Sequence, residues 1–421
     1  MLSREENDLL TSTGPERPLG VLMRRAWLPA LLSRELPAPD GPPVRLQLLG
    51  ERFVAFRDST GRVGLLQEGC PHRLASLALG RNEDGGLRCV YHGWKYDVTG
   101  RCVDMPTERP GSRFADHIRA EAAAVREAGG IVWAYLGPPE HEPPFPAFPW
   151  LGLPATHCAV WKLLHECNYL QALERDVDFA HVRIAHRRLP EGAAADARLA
   201  DIDRQDSAPR VEVERTRYGF RYATIYRPDE PTHQVRVAAF VLPCFLVLGP
   251  IDGHLVAMAF VPRDDESNWH FLVRYDPACP IDAATYAASR GLDNLDADGR
   301  KARNRDNAYR QDRAAMRTRT FNGIEGVIIE DHALAEIQGR RADRAREHLG
   351  ATDAPVRALR ALLLDAARAV VRGEPPLPWD EALPFDQIAG HTLTKPAAVP
   401  WQAVAPLPAA LALAAEGDPS P

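Results

Sequence analysis

The 421-residue chain has no long hydrophobic run, no surplus of basic charge and no paired-cysteine pattern, and each absence removes a class of protein. Its longest apolar stretches, near residues 237–251 and 403–415, are broken by proline and too short to span a bilayer. The acidic opening Met1-Leu2-Ser3-Arg4-Glu5-Glu6-Asn7-Asp8 lacks the apolar segment of a signal peptide, so a cytoplasmic protein without membrane attachment is expected. A formal net charge of −6, with no basic run interleaved with aromatics, argues against a phosphate-binding surface and so against nucleic acid as a partner. Seven scattered cysteines make a poor disulfide framework. There are no repeats and no G-x-G-x-x-G or Walker loop, so any nucleotide cofactor belongs on another protein.

What is present suffices for two domains with cores of their own, at ordinary apolar and charged fractions. Residues 4–13 and 20–32 read as short helices, the second ending near Pro29. Short strands and turns follow: 44–49 and 53–56 flank Gly50, residues 58–61 close a hairpin, and 131–136 form the last strand. This predicts a small all-β domain within residues 1–140. A proline-rich stretch over 138–154 then marks a boundary.

Beyond it, 161–182 has helical periodicity, and 211–226, 234–248, 255–261 and 269–275 are strand-like, suggesting an antiparallel sheet. Residues 280–320 are charged and read as helical, and 323–349 and 355–371 as long helical segments. The fold class is thus α+β, with a second domain over 155–400. A Pro/Ala-rich tail over 401–421 is expected to wrap the surface without a core of its own.

Cys70-Pro71-His72 and Cys89-Val90-Tyr91-His92-Gly93-Trp94 carry the clearest chemistry. A [2Fe–2S] cluster of the Rieske kind takes two thiolates on one iron and two neutral imidazoles on the other, which raises its potential above that of an all-cysteine cluster. Each segment here offers one Cys and one His. Gly69, Gly93 and Gly100 suit tight turns that expose backbone N–H groups to the sulfurs. A Cys2His2 zinc site is the competing reading, but zinc fingers pair their ligands as C-x2-C and H-x3–5-H. The remaining cysteines (Cys102, Cys158, Cys167, Cys244, Cys279) read as small buried apolar residues.

A second constellation lies over residues 166–186. Asn168, Gln171, Glu174, Asp178 and His181 recur at intervals of three or four, one helical face, and His186 lies off that stripe, so the helix ends or distorts between the histidines. Two histidines and one carboxylate leave positions on an iron open for oxygen. The bland alternative is a solvated helix face. The carboxylate must come from elsewhere, because Asp178 sits one turn before His181. Glu330 and Asp331 are the best candidates; they point to different sides of a helix, so only one is expected to face the site. His332 is a further possibility, with a solvated surface position the plainer reading.

These segments together resemble the oxygenase components of Rieske non-haem iron aromatic-ring oxygenases, most closely the phthalate 4,5-dioxygenase group with its O-demethylases. The likeness covers nearly the whole chain, through Arg25-Ala26-Trp27-Leu28-Pro29, Cys89-Val90-Tyr91-His92-Gly93-Trp94-Lys95-Tyr96-Asp97 and Glu330-Asp331 to Gln338-Gly339. It implies a Rieske domain followed by a helix-grip catalytic domain. It also implies His181, His186 and Asp331 as ligands of a mononuclear Fe(II), and Asn168 lining the active site. Asp178 would bridge an iron-ligating histidine to His92 of a neighbouring subunit in a homotrimer or stacked trimers. The chain departs from the group at Arg175-Asp176-Val177-Asp178-Phe179-Ala180, where many members carry small residues.

The function so implied is a terminal oxygenase. It would use O2, and electrons that a flavin/iron–sulfur reductase takes from NAD(P)H, to hydroxylate a small aromatic compound such as a phthalate-like carboxylate. Oxidative O-demethylation of a methoxylated acid is the alternative, and a pure Rieske electron carrier or a zinc scaffold the alternatives of other classes. An aromatic carboxylate calls for an arginine fork. Arg236, in the apolar strand Val235-Arg236-Val237-Ala238, is the candidate, unless it faces solvent on an edge.

Overall fold

The computed structural model describes residues 2–188, 208–227, 230–375 and 383–413. Helix α1 (Arg4–Thr11) is opened by a capping box between Ser3 and Glu6, and α2 (Pro18–Arg24) by a proline in its first turn. The helix expected over 20–32 stops there. Leu28–Leu32 is strand β1, buried along its length and paired with β10 (Ile131–Tyr135). A continuous apolar run has no period that separates a buried strand from a buried helix; the sheet partner decides.

The rest of the first unit is all-β, as expected. Strands β2 (Val44–Leu48), β3 (Glu51–Arg57) and β4 (Val63–Gln67) form a meander. Asp58 closes the second hairpin, its Oδ1 accepting the backbone N–H groups of Thr60 and Arg62 at 3.0 and 2.9 Å. A four-stranded sheet of β5 (Arg81–Glu83), β6 (Gly86–Arg88), β7 (Lys95–Tyr96) and β8 (Cys102–Asp104) carries the candidate cluster loops, and β9 (Ala124–Ala128) completes the β1–β10 sheet.

The second unit is built on an eight-stranded antiparallel sheet. Its strands are β11 (Cys158–His165), β12 (Arg210–Thr216), β13 (Gly219–Tyr226), β14 (Thr232–Val241), β15 (Phe245–Ile251), β16 (His254–Pro262), β17 (Asn268–Tyr275) and β18 (His391–Pro396). The path runs β11-β17-β16-β15-β14-β13-β12, with β18 alongside β14. The strand-like segments 211–226 and 234–248 each hold two strands. The helix expected from residue 161 begins only at α3 (Tyr169–Val177), because 158–165 are laddered to β17.

Helix α4 is Val182–Ala185. The charged stretch 280–320 is helical only in α5 (Ala283–Arg290), α6 (Ala315–Thr318) and short 3-10 turns. Between them side chains, not a helical ladder, satisfy the backbone: Asp296 Oδ1 accepts from the N–H groups of residues 298 and 300. The segment 323–349 holds the ten-residue α7 (Val327–Glu336), while α8 (Ala354–Val371) matches expectation. The tail is better anchored than expected, since Trp401 of α9 (Trp401–Val404) is buried against Ala223, Ile225, Val235 and Val237 on the outer sheet face. Residues 414–421 of that tail lie outside the described residues.

Strand register fixes what lies on the inner face. Tyr222, Thr224 and Tyr226 of β13 stand opposite Ala238, Arg236 and Gln234 of β14, and Phe260 of β16 opposite His270 of β17. Helices α3 and α7 pack together over this face: Tyr222 Oη donates to Asp176 O at 3.4 Å, and His332 meets His270. The sheet gripping these helices is the expected helix-grip arrangement. Among the described residues no helix is long and apolar enough to cross a membrane.

Candidate metal centres

Two loops at one end of the first domain are built alike. Cys70 O accepts from Leu74 N at 2.8 Å and Cys89 O from Gly93 N at 3.0 Å, so each loop folds back just after its cysteine. Both thiols are buried, while His72 and His92 stand half-buried at the tips with ring centroids 4.5 Å apart. Trp94 stacks on His72 at 4.3 Å and fixes its plane. Tyr96 Oη lies 3.3 Å from Cys70 Sγ, placed to donate to a thiolate. Burial pushes the Cys70 thiol up, opposed by this contact.

His92 Nδ1 is buried without a hydrogen-bond partner, as a nitrogen reserved for a ligand would be. Two thiols inside and two imidazoles outside fit a Rieske cluster. Gly93 has φ +77°, and a Cβ there would stand 2.7 Å from Pro106. Gly69, expected to need the same freedom, does not have a positive φ, and its Cβ would meet only ordinary contacts.

In the second domain the ligand atoms of His181, His186 and Asp331 all lie within 4.8 Å of one another. Helix α3 ends at Val177, and Asp178 Oδ1 accepts from Ala180 N at 2.8 Å in the turn that follows. The break therefore falls before His181, not between the histidines; these bracket the single turn of α4. Asp331 Oδ1 lies 3.3 Å from His181 Nε2 and 3.0 Å from His186 Nε2.

The far edge of each ring is held by an oxygen. His181 Nδ1 makes a very short contact with Asp178 O, and His186 Nδ1 lies 2.5 Å from Glu330 Oε2. Each oxygen is placed to take a proton from Nδ1, which leaves Nε2 as the nitrogen that would face a metal. Burial would lower the His186 pKa, but the bonds to Asp331 and Glu330 outweigh it and lift it to about 9. The three donors fit a facial iron site. Only one acid of the Glu330–Asp331 pair is expected to face the site, yet both reach it, at opposite edges of the His186 ring.

Other expectations are corrected. Asn168 does not line this site. Its side chain caps α3 through Leu170 N, and its amide donates to Thr11 O at 2.9 Å and Asp265 O at 2.8 Å. Gln171 and Glu174 of the same stripe are equally engaged, Gln171 with Ala335 O and Gly339 O, and Glu174 with Arg344 and Arg360. The Asp178 carboxylate comes no nearer than 3.9 Å to His181 Nδ1; its backbone carbonyl makes the contact.

His332 is neither a ligand of this group nor solvated. It is fully buried, stacked on His165 at 3.8 Å. Lys301 Nζ lies 2.8 Å from both His332 Nδ1 and Glu336 Oε1, so an amine already stands among His165, His332 and Glu336. Arg236 is not on a solvent edge: β14 is paired on both sides there, and the half-buried guanidinium shares the inner face with Tyr222 and Tyr226. Among the described residues it has no hydrogen-bond or ion-pair partner.

A cluster-binding β domain joined to a helix-grip domain with a His–His–carboxylate group defines a two-centre iron oxygenase. The Rieske [2Fe-2S] domain family matches residues 26–123, and the LigXa C-terminal domain like family matches residues 134–410. The chain is 40% identical to the phthalate 4,5-dioxygenase oxygenase subunit of Pseudomonas putida, over 89% of this chain and 88% of that one. It is 35% identical to the 3-chlorobenzoate-3,4-dioxygenase oxygenase subunit of Comamonas testosteroni, over 96% and 97%. Among solved structures, NdmA of Pseudomonas putida CBB5 with caffeine superposes with a TM-score of 0.63 at 19% identity, covering 86% of this chain and 95% of that one. The chain belongs to the Rieske non-haem iron oxygenases, as an oxidoreductase of the oxygenase-subunit type with a Rieske cluster and a mononuclear iron.

Proposed function

We propose that this chain is the terminal oxygenase of a system that hydroxylates an aromatic carboxylate, phthalate-like in chemistry, with electrons from a separate NAD(P)H-linked reductase. The observation that carries the substrate class is Arg236, a half-buried cation on the inner sheet face with no hydrogen-bond or ion-pair partner among the described residues. Ala238 and Phe240 continue that face as an apolar floor. The guanidinium fork would take the carboxylate in a bidentate grip while the ring lies on the floor.

In this reading Cys70, His72, Cys89 and His92 hold the cluster, and His181, His186 and Asp331 hold the iron. When bound, the cluster supplies single electrons and the iron activates O2. Glu330 and Asp178 fix the two imidazoles in the tautomer that presents Nε2. Asp178, a quarter exposed beside His181, would link that ring to His92 of a neighbouring copy in a homotrimer or stacked trimers. The exposed Val90 and Tyr91 beside His92 support such docking. In this reading the protein works in the cytoplasm, with the reductase as its partner.

Product analysis with labelled O2 and a surrogate reductase, across aromatic acids and methoxylated acids, tests the proposal. Labelled hydroxyl groups on an acid substrate are expected. Formaldehyde from methoxylated acids alone would make the chain a demethylase, and no turnover of any acid would reject the substrate class. Asp178→Asn is expected to keep both metals and lose coupled turnover; full activity would reject the bridge.

A further inference from the structure

Arg175 stands where none of the preceding roles uses it. Its Nη1 lies 3.2 Å from Asp331 Oδ2, while Asp331 Oδ1 is the oxygen that faces both histidines. The same Nη1 makes a very short ion pair with Asp176 Oδ1. All three side chains are buried, Arg175 and Asp176 at 7% exposure and Asp331 at 6%. Nε and Nη2 of Arg175 and Oδ2 of Asp176 have no hydrogen-bond partner among the described residues. A guanidinium buried this deeply, with two donors unused, is held for the one bond it makes to Asp331 and the one charge that balances it. The turn of α3 that precedes it is also fixed in place: Gln171 is tied to α7 and the loop after it, and Glu174 to Arg344 and Arg360.

We infer that Arg175 is a positioning residue for the second metal. It occupies Oδ2 of Asp331 so that the carboxylate offers the metal Oδ1 alone, and Asp176 offsets the positive charge this brings to the site. This rests on His181, His186 and Asp331 being the iron ligands. The consequence is a weaker anionic donor and one more coordination position left free than a two-oxygen carboxylate would leave.

The test is Fe(II) affinity of the full chain, measured by competition with a chelator, with cluster absorbance per chain as the check on folding. Asp176→Asn leaves the Arg175 charge uncompensated and is expected to weaken Fe(II) binding about tenfold. The double variant Arg175→Gln/Asp176→Asn removes that charge and is expected to recover the affinity. If Asp176 were merely structural, the second loss would deepen the defect. Unchanged affinity in Asp176→Asn, or no recovery in the double variant, overturns the inference. A crystal structure of the iron-loaded wild type gives an independent arm: Asp331 bound through one oxygen with Arg175 on the other supports it, and both oxygens on the metal overturn it. Wild-type protein that holds no iron beyond the cluster would reject the ligand set itself, and with it the clamp.

Discussion

Glu330 Oε2 lies 2.5 Å from Nδ1 of His186, while Asp331, the next residue on α7, reaches Nε2 of the same ring. One histidine is thus gripped at both edges by neighbouring acids. Glu330 is fully buried and takes a further bond from Arg188 Nη1 at 3.1 Å, so it has no freedom to turn away. Replacing it tests whether orientation of the ring matters to the metal. Glu330→Ala is expected to lower iron retention by roughly 10- to 100-fold, with cluster absorbance unchanged, in a metal assay after gel filtration.

Arg236→Gln removes the charge and shortens the side chain by two atoms while keeping a polar N–H donor. Loss of a charge-assisted pair to a substrate carboxylate costs about 1.5–3 kcal/mol, so KM for an aromatic acid is expected to rise by roughly ten- to a hundredfold with kcat held. Steady-state kinetics with the acid and its neutral amide would show the rise for the acid only. Equal KM values for wild type and variant would remove Arg236 from the substrate site.

Lys301 is buried, and its amine is bonded to Leu164 O, His332 Nδ1 and Glu336 Oε1. Glu336 is also held by Tyr309 Oη at 2.8 Å. Lys301→Met leaves Glu336 buried without its cation and is expected to cost about 3–5 kcal/mol, read by chemical denaturation of the full chain. A loss below about 1 kcal/mol would mean the pair is no more than a surface bridge in effect.

Glu174 gives the pH dependence. Burial alone would raise its pKa, but Arg344 and Arg360 hold it below the usual carboxylate value. A folded pKa below the unfolded one stabilises the protein above the unfolded value, 4.5, and the contribution is lost as pH falls through the folded one. The stability gap between wild type and Glu174→Gln is therefore expected at neutral pH and should close in acid below that value. A gap that does not change with pH would assign the defect to packing.

Much of this was legible in the chain itself, for identifiable reasons. The Cys–His pairs of the first centre sit within single loops, so spacing alone displays them. His181 and His186 are close in sequence for the same reason. Asp331 is separated from them by a whole sheet, and choosing it over Glu330 requires knowing where His186 lies. The stripe Asn168–Gln171–Glu174 misled because periodicity shows which residues share a face but not what covers it. Here Thr11, Ala335, Arg344 and Arg360, all distant in sequence, use up those side chains. β1 and β11 were hidden for a related reason: their strand character comes from partners about a hundred residues away.

The central claim is that one chain carries two separate metal centres on the residues named. Iron and acid-labile sulfide counts on the wild type and His181→Ala measure this most directly. About three irons and two sulfides per wild-type chain are expected, falling to about two and two in the variant. Two irons in both proteins, or loss of sulfide with the His181 substitution, would contradict it.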